Sequence, residues 1–81
     1  MKEVITDESI TLFDNDKEAA IVTFVKKNKE LIIEHTIVKE EYRGQGLAKY
    51  LMQKCEEIAN KEKHTIKPIC SYAVKYFNKE I

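Results

Sequence analysis

The residues Arg43-Gly44-Gln45-Gly46-Leu47-Ala48 open the longest amphipathic stretch of this chain, and no capping side chain stands at its start. Helices usually begin on Ser, Thr, Asp or Asn, whose side chain accepts one of the free N–H groups of the first turn. Here two glycines hold that place, and the cation Arg43 sits where the helix dipole is already positive. Such a start directs several unsatisfied backbone N–H groups and one guanidinium at the same region, a donor set for phosphate-type anions. Glycine also lets a ligand approach the main chain closely. A plain glycine turn with a solvated Arg43 uses the same residues, and their spacing does not separate the two. Two phosphate patterns are excluded. A P-loop needs Gly-x-x-x-x-Gly-Lys-Ser/Thr, which occurs nowhere; a dinucleotide fingerprint needs glycine where Lys49 stands.

The other reactive side chains are few. His35 alternates with Leu31, Ile33 and Ile37, so it is expected on their apolar face as a satisfied core residue or a general base. Thr36 then points to the opposite face as an ordinary strand residue. His64 lies in a polar turn, and Cys55 falls on the apolar side of the helix. Cys55 and Cys70 are not spaced as a metal knuckle or redox pair, and adding the two histidines gives no ligand spacing, so no metal is expected. Tyr72, Tyr76 and Phe77 fit packing roles, and Tyr76 can also act as an acid.

These residues must be positioned by short elements. Ser9 to Asp14, Glu18 to Lys26 and Leu31 to Val38 are β-rich runs separated by the polar turns "DNDK" and "KNKE", which predicts a three-stranded antiparallel meander. From Leu47 to about Asn60 the period changes to three and four residues, with Leu47, Ala48, Leu51, Met52, Cys55, Ile58 and Ala59 on one stripe. His64 to Cys70 reads as a fourth strand, with Pro68 at its end or at a sheet edge. "YAVKYFNKE" closes the chain as a short helix. The order is β-β-β-α-β-α, an α/β (α+β) arrangement in which the helix crosses over to a fourth, parallel strand. The helix start then lies at the carboxyl end of the third strand, where open α/β sheets bind ligands.

Size and charge narrow the classes. With 81 residues the chain has material for a single domain, residues 1–81. Its 14 basic and 14 acidic residues are interleaved, which disfavours a nucleic-acid partner. No signal-peptide core or membrane-length apolar run is present, so a cytoplasmic protein with free thiols and no membrane partner is expected.

The turn resembles the pyrophosphate loop of the GNAT superfamily of N-acetyltransferases, whose pattern is Gln/Arg-x-x-Gly-x-Gly/Ala, here Arg43 to Ala48. Its flanks, "HTIVKEEYRGQGLAKYLM" and then "IKPICSY", are similar to small single-domain GNAT-like proteins with His-Thr before the loop and Pro-x-Cys after the helix. The resemblance runs from about Ile10 to Phe77. It implies a truncated GNAT-like fold lacking the strand and two helices that build much of the acceptor pocket in full-length enzymes. It also implies acetyl-CoA as cofactor, with its pyrophosphate on Arg43, Gly44, Gln45, Gly46, Leu47 and Ala48. The pantetheine arm would run beside Ile37 and Val38, with Tyr72 at the far end. The expected activity is acetyl transfer to an unidentified amine, directly with His35 as base and Tyr76 as acid, or through an acetyl-enzyme on Cys70. Two alternatives stand beside it: a non-enzymatic acyl-CoA-binding or regulatory module, and an interaction domain with no ligand.

Overall fold

The computed structural model describes residues 1–78. Five strands form one sheet in sequential order: β1 (Lys2–Ile5), β2 (Ser9–Asp14), β3 (Lys17–Lys27), β4 (Glu30–Val38) and β5 (Thr65–Pro68). A single 3-10 turn, Glu40–Tyr42, leads to helix α1 (Leu47–Glu62), and α2 (Ser71–Asn78) follows β5. The sequence expectation carried the last helix through Lys79 and Glu80, which lie outside the described residues. The meander and the crossover are as the periodicities predict: β2, β3 and β4 pair antiparallel, and β4 pairs parallel with β5.

The sheet has one strand more than the sequence suggested. β1 pairs antiparallel with β2 at the sheet edge. Its four residues are mostly exposed, so they carry little of the in-out alternation by which a strand is recognised.

One face of the sheet carries the core. Ile10, Leu12, Ala20, Val22, Phe24, Leu31 and Ile33 meet Leu51, Met52, Cys55 and Ala59 of α1, and Ala73 of α2 closes the cluster. The stripe on α1 is the one its spacing dictates. α1 ends on Lys63 in the left-handed region, where the N–H groups of Lys63 and His64 return to Asn60 and Ala59 as a closing turn.

A register shift in β4 decides which side chains face the helices. Phe24 pairs with Ile33 but Thr23 pairs with His35, so Glu34 is an extra residue, a β-bulge. Successive strand residues alternate faces, and one extra residue reverses the alternation. Leu31 and Ile33 point to the core before the bulge; Thr36 and Val38 point there after it, opposite Val22 and Ala20. The same residue marks where β4 and β5 part. Their pairing stops at Ile33 and Pro68, where the Ile33 carbonyl accepts the N–H groups of both Ile69 (2.9 Å) and Cys70 (3.3 Å). Beyond that point β4 runs on to Val38 without β5 beside it.

Candidate active site

The cleft left by the parting strands is bounded by the loop before α1. Tyr42 is buried and anchors the 3-10 turn, donating its hydroxyl to Asp14 Oδ2 at the end of β2. Lys17, the first residue of β3, adds an ion pair to Glu41 of the same segment. Arg43 follows and turns its Nε back onto the Val38 carbonyl at 3.3 Å. Gly44 and Gly46 take φ values of +85° and +75°, which L side chains rarely adopt, so the glycines are required by the turn itself.

Gly46 is the N-cap of α1 and supplies no side-chain cap; the first helical bond runs from the Tyr50 N–H to the Gly46 carbonyl at 3.0 Å. The N–H groups of Leu47, Ala48 and Lys49 precede that bond and have no helical acceptor. Nothing lies within 4 Å of where a Cβ on either glycine would stand, so this side of the loop faces open space. The first turn of α1 contains no acidic residue, leaving the positive end of its dipole uncompensated. The loop thus turns uncapped N–H groups and the positive end of α1 toward open space.

The second wall is β4. The Lys39 N–H bonds the Ala19 carbonyl, so in an antiparallel pair the backbone groups of Ile37 and Lys39 face β3 and those of Thr36 and Val38 face away from it. With β5 absent there, this edge is open to an extended ligand. An opening of about 320 Å³ lies alongside it, lined by Thr36, Ile37, Val38, Arg43, Ala48 and Tyr72. Of the residues that the resemblance implied for one cofactor it brings together Ile37, Val38, Arg43, Ala48 and Tyr72, while Gly44, Gln45, Gly46 and Leu47 do not line it.

Cys70 stands at the inner end of this arrangement. It is the residue before α2, its carbonyl accepting the Val74 N–H at 2.9 Å. Its sulfur accepts the Ala73 N–H at 3.4 Å and lies 3.3 Å from Thr36 Oγ1, so the thiol closes the gap between the diverging strands. Cys70 and Cys55 are both free thiols. Cys55 is fully buried, and burial pushes its thiol up to about 12, with Cys70 nearby adding to the shift. It is core, as its place on the helix stripe required.

Tyr72 and Tyr76 stack with ring centroids 6.4 Å apart, and Phe77 meets Tyr76 edge-on at 4.8 Å. Partial burial beside Tyr76 raises the proton affinity of Tyr72. Tyr76 and Phe77 pack against the core while Tyr72 lines the opening.

His35 corrects the sequence expectation. The bulge at Glu34 removes it from the face of Leu31 and Ile33; it is exposed, pairs with Thr23 and lies on the outer side of the sheet. Ile37 moves with it and is 53% exposed. Thr36, set aside as an ordinary strand residue, takes the inner position instead. His35 is therefore across the sheet from Cys70. Uniform alternation along Leu31 to Val38 gave the opposite assignment, and only the Ile33-to-Thr36 interval of an inserted residue restores a consistent inner row. Among the described residues no group of three metal-ligating side chains gathers, and no helix is long and apolar enough to cross a membrane.

The profile of the family described as GCN5-related N-acetyl-transferase matches residues 9–80. No curated protein matches the chain. Among solved structures, a GCN5-like protein from Staphylococcus aureus superposes with a TM-score of 0.78 at 28% identity, covering 98% of this chain and 79% of that one. The ribosomal-protein-S18-alanine N-acetyltransferase of Escherichia coli gives a TM-score of 0.62 at 24% identity over 65% of this chain, which spans 34% of that chain. A GNAT-family protein from Bacteroides thetaiotaomicron gives 0.50 at 20% identity, over 94% of this chain and 45% of that chain. At those identities the last two likenesses bear on the fold alone.

Proposed function

The chain belongs to the family of GCN5-related N-acetyltransferases, and from that premise we propose that it binds acetyl-CoA, takes the acetyl group onto Cys70 and delivers it to an amine. The observation that carries this is the convergence on one opening of an uncapped helix start, an unpaired strand edge and, through Thr36, a free thiol. The residues present fit the cofactor: open space over Gly46 admits a bulky anion, and the β4 edge offers backbone groups to an amide-bearing arm.

Acetyl-CoA supplies an activated thioester. The amides from Gly44 to Ala48 and the Arg43 guanidinium would hold its pyrophosphate, and the backbone of Thr36 with the N–H of Val38 would meet the pantetheine arm. An N–H on this edge also suits the polarisation of the thioester carbonyl. The Cys70 thiol would give its proton to water, and its sulfur would bond the acetyl carbon as the bond from that carbon to the coenzyme sulfur breaks. We assign Tyr76, one turn beyond Tyr72 on α2, as the acid that gives a proton to the departing thiolate and recovers one from water. The amine would then bond the same carbon as the Cys70 C–S bond breaks, and the proton lost by the amine nitrogen restores the Cys70 thiol. A relay through a free thiol suits a reducing compartment, and we place the protein in the cytoplasm.

The test is calorimetric titration of the purified protein with acetyl-CoA, with Gly46→Glu alongside, followed by mass spectrometry for acetyl on Cys70. Saturable binding that Gly46→Glu loses, together with acetyl on Cys70, is the expected result. No binding by the wild type removes the proposal. Binding without acetyl-Cys70 and without product from any of a panel of amines leaves an acyl-CoA-binding module in its place.

A further inference from the structure

Thr36 carries a hydroxyl that touches both the opening and the thiol. It lines the opening beside Val38, Arg43 and Ala48, and its Oγ1 lies 3.3 Å from Cys70 Sγ. It reaches this position through the Glu34 bulge, which turns it inward opposite Val22. The sulfur already accepts the Ala73 N–H, so Thr36 supplies its second partner, from the facing strand. A hydroxyl can serve as donor or acceptor by rotating its proton. It can therefore accept from the S–H of the resting thiol and donate to the sulfur once that proton has left. The two bonds come from different elements, β4 and α2, and fix the sulfur where the strands part.

We propose that Thr36 is a positioning residue for Cys70, holding the sulfur toward the opening before and after it loses its proton. The proposal rests on the relay through Cys70 and deepens it by naming the residue that aims the nucleophile. The balanced step is one in which the Cys70 thiol and acetyl-CoA give acetyl-Cys70 and free coenzyme A. Thr36 forms no covalent bond in that step and changes only the direction of its hydrogen bond.

The experiment compares wild type, Thr36→Val and Thr36→Ser. Valine keeps the branched shape and removes the hydroxyl, while serine keeps the hydroxyl. Alkylation of Cys70 by iodoacetamide is followed by peptide mass spectrometry without acetyl-CoA, and acetylation of Cys70 is followed with it. Thr36→Val is expected to slow both reactions roughly tenfold, as loss of a hydrogen bond to an ionising group does. Thr36→Ser restores both to within about twofold, with acetylation rates compared at saturating acetyl-CoA so that any change in affinity is set aside. A Thr36→Val protein alkylated and acetylated at the wild-type rate overturns the role of Thr36. So does a Thr36→Ser protein as slow as Thr36→Val, because packing rather than the hydroxyl is then responsible. A wild-type protein that binds acetyl-CoA but never carries acetyl on Cys70 is a different failure, and it overturns the relay itself.

Discussion

Tyr42 donates its phenolic hydroxyl to Asp14 Oδ2 at 2.7 Å, tying the residue before Arg43 to the far end of β2. The bond spans 28 positions of sequence and, with the Lys17–Glu41 ion pair, fixes where the glycine loop begins. Tyr42→Phe keeps the buried ring and removes the tie. Acetyl-CoA affinity is expected to fall about three- to tenfold in calorimetry, while the thermal midpoint drops by only a few degrees. Wild-type affinity in this variant means that the tie does not position the loop.

Arg43 is exposed, and its hydrogen bond in the free chain is to the Val38 carbonyl. Its guanidinium thus lines the cleft, and among the described residues no carboxylate pairs with it. Arg43→Ala should weaken acetyl-CoA binding by roughly tenfold, and Arg43→Lys should recover only part, because an ammonium lacks the planar fork. The loss should shrink as salt is raised, since the interaction is between exposed charges. Titrations at low and high ionic strength decide this; equal losses at both would point to a structural effect of the substitution.

His35 and Cys70 lie on opposite sides of the sheet. The rate of acetyl-Cys70 formation in His35→Ala should stay within about twofold of wild type, as for surface substitutions generally, whereas Cys70→Ala abolishes it. Single-turnover acetylation followed by mass spectrometry makes the comparison. A tenfold loss in His35→Ala would bring the histidine back into the relay.

Alkaline pH should unfold this protein. Burial pushes the Cys55 thiol from an ordinary 9.0 up to about 12. Hydrogen bonds to Asp14 and Glu3, respectively, also raise Tyr42 and Tyr50. Between those values the unfolded chain has released protons that the native chain still binds, so stability falls as pH rises. The Cys55 contribution is complete below about pH 9 and is lost as pH climbs toward about 12. Urea midpoints should be flat from about pH 7 to 8.5 and decline steadily above that. Cys55→Ala should begin about 1 kcal/mol or more less stable at neutral pH, from the cavity it leaves, and decline less steeply. Parallel curves for the two proteins would assign the alkaline loss to other groups.

Much of the fold was legible because its signals are local. The three- and four-residue period of Leu47 to Ala59 and the two glycines before it mark α1 and its loop within one stretch of chain. Strands β2, β3 and β4 are long enough to alternate and are separated by polar turns. What escaped depends on single offsets or distant partners. β1 is short and exposed at the edge. The Glu34 bulge changes the face of every later residue in β4, yet either face of "LIIEHTIV" mixes apolar and polar residues, so composition does not locate it. Thr36 and His35 exchanged sides for that reason. The contact between Tyr42 and Asp14 joins two segments that only the folded sheet brings together.

The parting of β4 from β5 has a consequence for the protein on its own. A strand whose backbone groups lack a neighbour is a template on which another chain can add a strand, the first step of edge-to-edge aggregation. Here that edge lies inside a sheet rather than at its border, between Thr36 and Val38 on one side and Ile69 and Cys70 on the other. The bulge bends β4 away from its neighbour, Pro68 ends the paired stretch with a residue that has no N–H, and the Arg43 side chain already occupies the Val38 carbonyl. The kink that opens the cleft also keeps it from becoming a seam along which copies of the chain zip together.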